Sequence, residues 1–245
     1  MFRALCHAAV LCAAAAVPAY ALEKGGLEKA PQVAGVINHG HGRTVALTFD
    51  ACPRPKDTAG YDPAVIEVLR REKVPATIFV SGLWAAAHAE ILKALAADPL
   101  FEIGNHGHRH EHMAGLALAA DRRELARAQE TIQRIAGRAP TVWRPPYGEV
   151  DTTAVRAAAS LGLTTIDFSL ASGDPDKRIS ARRLTQAVVE NARPGSIIVF
   201  HVNGNGVHTA EALPGVIDGL RKRGFTFVQA GSYVTAPEEA NAKTR

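Results

Sequence analysis

The residues best suited to metal and acid–base chemistry follow predicted strands. A cluster of imidazoles comes after one such strand, and within it His106 and His110 are four residues apart. On a helical turn this spacing points both rings the same way, and imidazoles so placed can bind a borderline metal such as Zn²⁺. His108 would point elsewhere. A solvated polar loop is the alternative interpretation of the same residues.

Asp50 and His201 each end an apolar run. A carboxylate that is partly removed from water beside a metal can act as a general base, although an Asp after a strand also commonly caps a turn. For His201 the usual explanation is a hydrogen-bonded core histidine. Two imidazoles, a third histidine and a carboxylate at one rim together favour a metal site.

Arg144, Tyr147 and Asp174 complete the candidate residues. Pro145 and the following proline stiffen the backbone just after Arg144. The alternative interpretation is that Arg144 is a surface residue. Tyr147 either contributes to the site or simply packs. Asp174 is placed to cap the turn before the next helix, or to hold Arg144 or His201.

The elements that position these residues are short β-branched runs alternating with longer helical patterns. The predicted strands are Thr44–Phe49, Ala76–Val80, Phe101–Gly104, Thr141–Trp143, Thr164–Phe168, Ile197–Phe200 and Thr226–Val228. The predicted helices are Pro63–Glu72, Trp84–Ala97, Ala119–Ala136, Thr152–Leu161, Ala181–Asn191 and Ala210–Arg223. Seven βα units predict a single-domain α/β fold, with a parallel sheet closed or nearly closed into a barrel. The candidates would share its mouth. Without the motifs, a doubly wound open sheet fits almost as well.

Composition excludes several classes of protein. Of the 245 residues 47% are hydrophobic and 21% charged, which excludes an intrinsically disordered chain. The net charge of +4 is scattered, without a run of five like charges, and therefore indicates no nucleic-acid partner. Cys52 is the only cysteine after residue 21, so an internal disulfide is excluded from the rest of the chain. Nothing in the sequence indicates an oligomeric state.

The first 21 residues have the pattern of a secretory signal. Arg3 supplies a positive start, residues 4–17 are apolar and uncharged, and a small-x-small pattern ends at Ala21. The apolar stretch is shorter than the ~20 residues that span a bilayer. We therefore expect an exported protein, periplasmic or extracellular, with no membrane span after cleavage. The remaining chain is divided into a flexible lead-in (22–42), one domain (43–233) and a polar tail (234–245).

Five motifs recur in order, each after a predicted strand, and together they resemble the polysaccharide deacetylase (NodB homology) family, also called carbohydrate esterase family 4. The resemblance covers roughly residues 44–230. The motifs are Thr48-Phe49-Asp50, Asn105-His106-Gly107-His108-Arg109-His110, Arg144-Pro145-Pro146-Tyr147-Gly148, Ser172-Gly173-Asp174 and Ile197-Ile198-Val199-Phe200-His201.

The resemblance implies a distorted, TIM-like, seven-stranded (β/α) barrel that removes N-acetyl groups from a carbohydrate polymer or oligosaccharide. Peptidoglycan, a chitin-like polymer and an exopolysaccharide all fit. The implied mechanism is attack of metal-bound water on the acetamide, and an O-acetyl esterase acting on acetylated sugars is the alternative. By position in the motifs, the implied roles are a base (Asp50), two metal ligands (His106, His110), an oxyanion donor (the Tyr147 N–H), an acid (His201) and residues that orient acid and base (Asp174, Arg144).

One departure from the family pattern affects the metal. The family usually has a second Asp as third metal ligand, and here that position is Ala51, which cannot bind a metal. Asp62 could substitute, although its place before a proline favours an N-cap. Cys52 could also substitute, although adjacent residues on a strand point opposite ways, or Asp50 itself could bind. We expect a divalent metal, with Zn²⁺ as the first choice. The sequence does not identify its third protein ligand. Otherwise the chain is a carbohydrate-binding relic that holds metal weakly or not at all.

Two further departures concern the substrate groove. Pro175 stands where the fourth motif usually has Trp. The chain after His201 reads Val202-Asn203-Gly204-Asn205-Gly206 in place of the usual acidic residue. Both changes are expected to alter the groove.

Overall fold

The computed structural model describes residues 33–53 and 60–234. The predicted signal peptide (1–21), residues 22–32 of the predicted lead-in and residues 235–245 of the predicted tail lie outside the described residues. Within the described ranges, none of the helices has the length and apolar character needed to cross a membrane.

Strands and helices alternate along most of the described ranges. The strands are β1 (Val36–Ile37), β2 (Thr44–Ala51), β3 (Ala76–Val80), β4 (Phe101–Asn105), β5 (Val142–Trp143), β6 (Thr164–Ile166), β7 (Leu170–Ala171), β8 (Ser196–His201) and β9 (Thr226–Phe227). The helices are α1 (Pro63–Glu72), α2 (Gly82–Ala87), α3 (Ala89–Ala97), α4 (Leu118–Ala136), α5 (Thr152–Ala159), α6 (Ala181–Asn191) and α7 (Thr209–Lys222).

The strands form one parallel sheet that curls into an incompletely closed barrel. Its order is β1-β6-β5-β4-β3-β2-β8-β7, and β9 pairs with the start of β2. The predicted α/β barrel class is therefore confirmed. The predicted strand count is wrong, because the continuous path holds eight strands rather than seven. The unpredicted strands β1 and β7 have only two residues each, too few for a hydrophobic period to show. β1 lies within the segment predicted as a flexible lead-in (22–42).

Alternation along β2 decides which residues face the site. Val45, Leu47, Phe49 and Ala51 all belong to the larger apolar core, which also contains residues from helices α1, α6 and α7. Because successive side chains of a strand point to opposite faces, Asp50 lies on the other face. The same period places Cys52, the residue just after the strand, on the face of Asp50.

The predicted helices are observed with one correction. The predicted helix Trp84–Ala97 is two helices, α2 and α3, separated by His88, which leaves helical dihedrals at φ −126° and ψ 41°. Apolar residues continue through this point, so the period could not reveal the break. The N-cap interpretation of Asp62 is confirmed, because its carboxylate accepts a hydrogen bond from the N–H of Ala64 and Pro63 begins α1.

Candidate active site

Asp50 is the last residue but one of β2, and its carboxylate is buried. Its Oδ1 accepts a hydrogen bond from Nη1 of Arg144 at 2.9 Å, and its Oδ2 lies 3.6 Å from Nε2 of His106. Burial raises the pKa of Asp50, but the Arg144 guanidinium and two nearby imidazoles outweigh burial and lower the pKa below its usual range. The carboxylate is therefore ionised at neutral pH and can accept a proton.

Arg144 joins the carboxylate to the histidine loop. The residue is fully buried, which contradicts the surface interpretation, and its guanidinium lies 4.2 Å from the ring centre of Phe79. Its backbone N–H donates to the carbonyl of Asn105 at 3.0 Å, and its own carbonyl faces Nδ1 of His106 at 2.9 Å. Arg144 thus positions the carboxylate with its side chain and an imidazole with its backbone.

His106 presents an unprotonated nitrogen to the site. A carbonyl can only accept, so Nδ1 of His106 carries the proton that is donated to the Arg144 carbonyl, and Nε2 keeps its lone pair. This Nε2 is buried and has no hydrogen-bond partner among the described residues. Burial is the main cause that lowers the pKa of His106, which keeps the ring neutral. A buried, neutral imidazole without a partner has the properties of a metal ligand.

His110 reaches the same place by loop geometry. The chain from His106 to His110 is not helical, so the predicted helical turn is wrong. Gly107 has a φ of 73° and His110 a φ of 63°, and this left-handed backbone brings the two rings to 4.8 Å between centroids, edge to face. Asn105 fixes the turn by accepting from the Gly107 N–H at 2.8 Å. Burial and the neighbouring His106 lower the pKa of His110 to about 3. The solvated-loop alternative does not describe this arrangement.

Cys52 completes a group of three side-chain atoms of types that can bind a metal. Its sulfur and one ring nitrogen each of His106 and His110 lie within 4.8 Å of one another. Cys52 is buried, and burial together with the negative charge of Asp50 raises the pKa of its thiol to about 12. The sequence argued against Cys52 as a substitute ligand, because adjacent residues of a strand point to opposite faces. That alternation separates Cys52 from Ala51 but places Cys52 on the same face as Asp50.

His201 ends β8 and is held by Asp174. Nδ1 of His201 lies 2.9 Å from Oδ1 of Asp174, and the His201 backbone N–H donates to Oδ2 at 2.8 Å. A carboxylate only accepts, so Nδ1 carries a proton and Nε2 is the ring atom that can exchange one. Burial lowers the pKa of His201, but Asp174 and Asp50 outweigh burial and leave the pKa above its usual value.

Tyr147 lies at the exposed rim. Its side chain is 50% exposed and its backbone is left-handed, with a φ of 61°. The ring stacks on His112 at 4.0 Å and meets His110 edge-on at 4.4 Å, both between centroids. Nδ1 of His112 lies 2.7 Å from a carboxylate oxygen of Glu149. The sequence did not single out His112, because an exposed histidine carries no signal by itself.

The structure therefore brings five candidates into one chain of contacts: Asp50, Arg144, His106, His110 and Tyr147. On the neighbouring strand β8, His201 pairs with Asp174 from the loop after β7. Sequence reasoning missed the role of Asn203, a fully buried side chain that contacts Cys52. One sequence feature could have indicated Asn203: it lies in the run after His201, where the chain differs from the family pattern.

Comparison with known proteins identifies the family. The family model for polysaccharide deacetylases matches residues 38–166, the part of the chain that carries Asp50, His106, His110 and Arg144. A peptidoglycan-N-acetylglucosamine deacetylase of Bacillus cereus is 32% identical over 197 residues, which are 80% of this chain and 70% of the relative. This chain belongs to the polysaccharide deacetylase family. The expected resemblance and the predicted class of enzyme, a carbohydrate deacetylase, are confirmed.

Other similar proteins are named for different substrates, and one is named as a pseudoenzyme. A chitooligosaccharide deacetylase of Azorhizobium caulinodans is 31% identical and covers 74% of this chain and 90% of the relative. An acetyl xylan esterase from Clostridium thermocellum, solved with a cobalt ion, is 30% identical with a TM-score of 0.68, covering 78% of this chain and 89% of that one. A CE4 family pseudoenzyme from Bacillus anthracis is 25% identical with a TM-score of 0.72, covering 82% and 69%.

Proposed function

We propose that this chain is an exported, metal-dependent N-deacetylase that removes acetyl groups from amino-sugar residues of a polysaccharide. The observation that carries the proposal is the pairing of Asp50 and His201. These residues are register partners in the parallel ladder between β2 and β8, so a carboxylate that accepts protons lies beside a histidine whose pKa is raised. A base and an acid on adjacent strands are what amide hydrolysis requires.

The residues present fit a divalent metal. His106 offers a buried lone pair without a partner, and His110 is kept neutral by its low pKa. We propose these two imidazoles as ligands and Zn²⁺ as the metal, because Zn²⁺ readily takes imidazole ligands. When bound there, the metal would polarise the acetyl carbonyl and acidify a water molecule.

The chain's own residues would carry the proton transfers. Asp50 takes a proton from the attacking water as the new C–O bond forms at the acetyl carbon, and Arg144 holds Asp50 in place. The backbone N–H of Tyr147 is the proposed donor to the oxygen on which negative charge develops. His201 gives a proton to the departing nitrogen as the C–N bond breaks, so the products are acetate and a free amine.

The proposed substrate is a polymer or oligomer of N-acetylated amino sugars. The B. cereus and A. caulinodans relatives are named for peptidoglycan and chitooligosaccharide. The exposed ring of Tyr147 stands at the rim, where an aromatic face can stack on a sugar ring. Peptidoglycan, a chitin-like polymer and an exopolysaccharide all present the required acetamide.

The test is acetate release from defined N-acetylglucosamine oligomers by the purified protein. We expect acetate from the wild type, loss of release after treatment with a chelator, and recovery when Zn²⁺ is added back. Asp50→Asn is the matched inactive control, because the amide keeps the size of the side chain but cannot act as a base. Absence of acetate from both N-acetylated and O-acetylated substrates would refute the enzymatic proposal and leave the carbohydrate-binding relic.

An O-acetyl esterase is the second candidate. The similarity to the acetyl xylan esterase, at 30% identity, favours it, and the same base would serve an ester, whose leaving group departs more easily. Acetylated xylo-oligosaccharides tested beside the N-acetylated oligomers separate the two. A higher kcat/KM on the ester would assign the esterase.

Export is proposed from the first 21 residues, whose positive start, apolar stretch and small-x-small end are typical of a secretory signal. Expression of the full chain in a bacterial host, followed by mass spectrometry of the exported protein, should show a chain that begins at Leu22. A protein that stays in the cytoplasm with Met1 intact would contradict the proposal.

A further inference from the structure

We propose that Cys52 is the third protein ligand of the metal, in place of the missing carboxylate at position 51, and that Asn203 positions its sulfur. This inference deepens the proposed function, since it depends on His106 and His110 as metal ligands. It does not depend on which bond is hydrolysed.

The direction of each side chain along β2 supports Cys52 over Ala51. The methyl group of Ala51 is fully buried in the larger apolar core together with Phe49. Asp50 and Cys52, two residues apart, fall on the opposite face. Strand alternation therefore places Cys52, rather than position 51, on the face that carries Asp50.

The distances bring three donor atoms together. The Cys52 sulfur and the ring nitrogens of His106 and His110 lie within 4.8 Å of one another. Bond lengths of about 2.0–2.3 Å imply that ligand atoms on one tetrahedral Zn²⁺ are roughly 3.5 Å apart, so a modest closure around the ion suffices. The unpartnered, buried Nε2 of His106 is an independent sign of a ligand at this place. Three protein ligands would leave the fourth position open for water or substrate.

Asn203 holds the sulfur from the other side. The side-chain oxygen of Asn203 accepts from the N–H of Asn205 at 3.1 Å, which turns its NH₂ group towards Cys52. That NH₂ donates to the Cys52 carbonyl at 2.7 Å and lies 3.2 Å from the sulfur. An N–H donor aimed at a ligand atom orients it and stabilises negative charge on it, as outer-shell partners of metal ligands do. A residue of the unusual run after His201 is therefore in contact with the residue that follows the departure at position 51.

Asp50 and Asp62, the two other candidates for the third ligand, make hydrogen bonds elsewhere. Asp50 accepts from Arg144 with Oδ1 and has Oδ2 3.6 Å from Nε2 of His106. It is nevertheless absent from the group of residues whose ligand atoms all lie within 4.8 Å of one another. The carboxylate of Asp62 accepts from the Ala64 N–H at the start of α1. Neither residue is left without a structural role, whereas Cys52 has its sulfur among the imidazoles.

The test is X-ray absorption spectroscopy of the purified exported protein that begins at Leu22, in which Cys52 is the only cysteine, loaded with one equivalent of Zn²⁺. We expect one sulfur scatterer at about 2.3 Å beside nitrogen or oxygen scatterers at about 2.0–2.1 Å. Cys52→Ala should lose the sulfur shell and weaken Zn²⁺ binding, measured by competition with a chelating dye. Cys52→Ser, which keeps the size of the side chain, should also lose the sulfur shell. If neither variant folds, by circular dichroism, the wild-type sulfur shell decides the question.

Asn203→Ala tests the positioning role. We expect Zn²⁺ affinity to fall by about 10- to 100-fold with the sulfur shell retained, as for other outer-shell losses. Asn191→Ala is the matched control, because Asn191 is exposed at the end of α6 and its side chain donates a hydrogen bond to the Ala187 carbonyl of the same helix. Equal affinities of wild type and Asn203→Ala would overturn the positioning role.

The outcomes separate the two proposals. A wild-type spectrum with only nitrogen and oxygen scatterers would overturn the Cys52 inference and leave the proposed metal-dependent function intact. A wild type that binds no Zn²⁺, Co²⁺ or Mn²⁺ would refute metal dependence itself. A sulfur shell that vanishes in Cys52→Ser, in a protein that releases no acetate, would support the Cys52 ligand while refuting the deacetylase.

Discussion

Asp50 and His201 are direct partners in the ladder between β2 and β8. Adjacent parallel strands lie about 4.8 Å apart, so the backbones that carry the proposed base and the proposed acid are held at that spacing by the sheet itself. Each side chain then has its own partner. Arg144 donates to Asp50, and Asp174 accepts from His201. Opposite charges on these partners move the two groups towards opposite protonation states.

Replacing the proposed base should strongly lower turnover and leave metal binding unchanged. We expect Asp50→Asn to lower kcat/KM by roughly 10²- to 10⁴-fold, the usual contribution of one proton-transfer group. It should also lower the Tm, because the buried Arg144 loses its charged partner. Acetate release and bound Zn²⁺ are measured on the same folded sample. Loss of Zn²⁺ together with activity would instead make Asp50 a ligand.

Replacing the partner of the proposed acid should change the pH dependence. Asp174 raises the pKa of His201, and the acid must be protonated to act, so activity is present at low pH and lost as pH rises through that pKa. In Asp174→Asn the pKa falls, so the basic limb of the kcat/KM profile should move to lower pH. The profile is measured beside the Tm, since Thr209 also donates to Asp174. An unmoved basic limb in a folded variant would contradict the role of His201.

Introducing the usual family carboxylate at position 51 should destabilise this protein. Ala51 is fully buried in the apolar core, and an unpaired carboxylate there should cost about 3–5 kcal/mol of unfolding free energy. Urea unfolding of Ala51→Asp measures the loss. Ala119→Asp is the matched control, because Ala119 is exposed in the first turn of α4, where a negative charge is tolerated. An Ala51→Asp protein of normal stability that gains Zn²⁺ affinity would show that position 51 faces the site.

Removing the N-cap of α1 should affect stability alone. The carboxylate of Asp62 accepts the N–H of Ala64 at 3.0 Å, so Asp62→Ala should lower the free energy of unfolding by about 1 kcal/mol. Zn²⁺ content and kcat/KM should not change. Asp151→Ala is the comparison for stability, and it should cost at least as much because it removes the cap of α5 together with a hydrogen bond from the Gly115 N–H. A loss of bound Zn²⁺ in Asp62→Ala only would identify Asp62 as the third ligand.

The order of the elements could be predicted from the amino-acid sequence, as could the strand ends at which the candidate residues lie. These features follow from local rules: a period of two or 3.6, apolar runs, and caps such as Asp62 before Pro63. Those rules act within about ten residues, so the bounds of α1 and α6 were predicted as observed. The two-residue strands β1 and β7 were beyond such rules, because each forms only by pairing with β6 or β8.

Which residues surround His106 and His110 could not be predicted in this way, because it depends on contacts between distant parts of the chain. The left-handed backbone at His110 folds its ring back on His106, and no helical spacing predicts that. The contact between Asn203 and Cys52 joins strand ends 151 residues apart. The physical reason is that a strand's period fixes which face a side chain takes, whereas the groups it meets there depend on the register of neighbouring strands and on loop dihedrals, which distant parts of the chain impose.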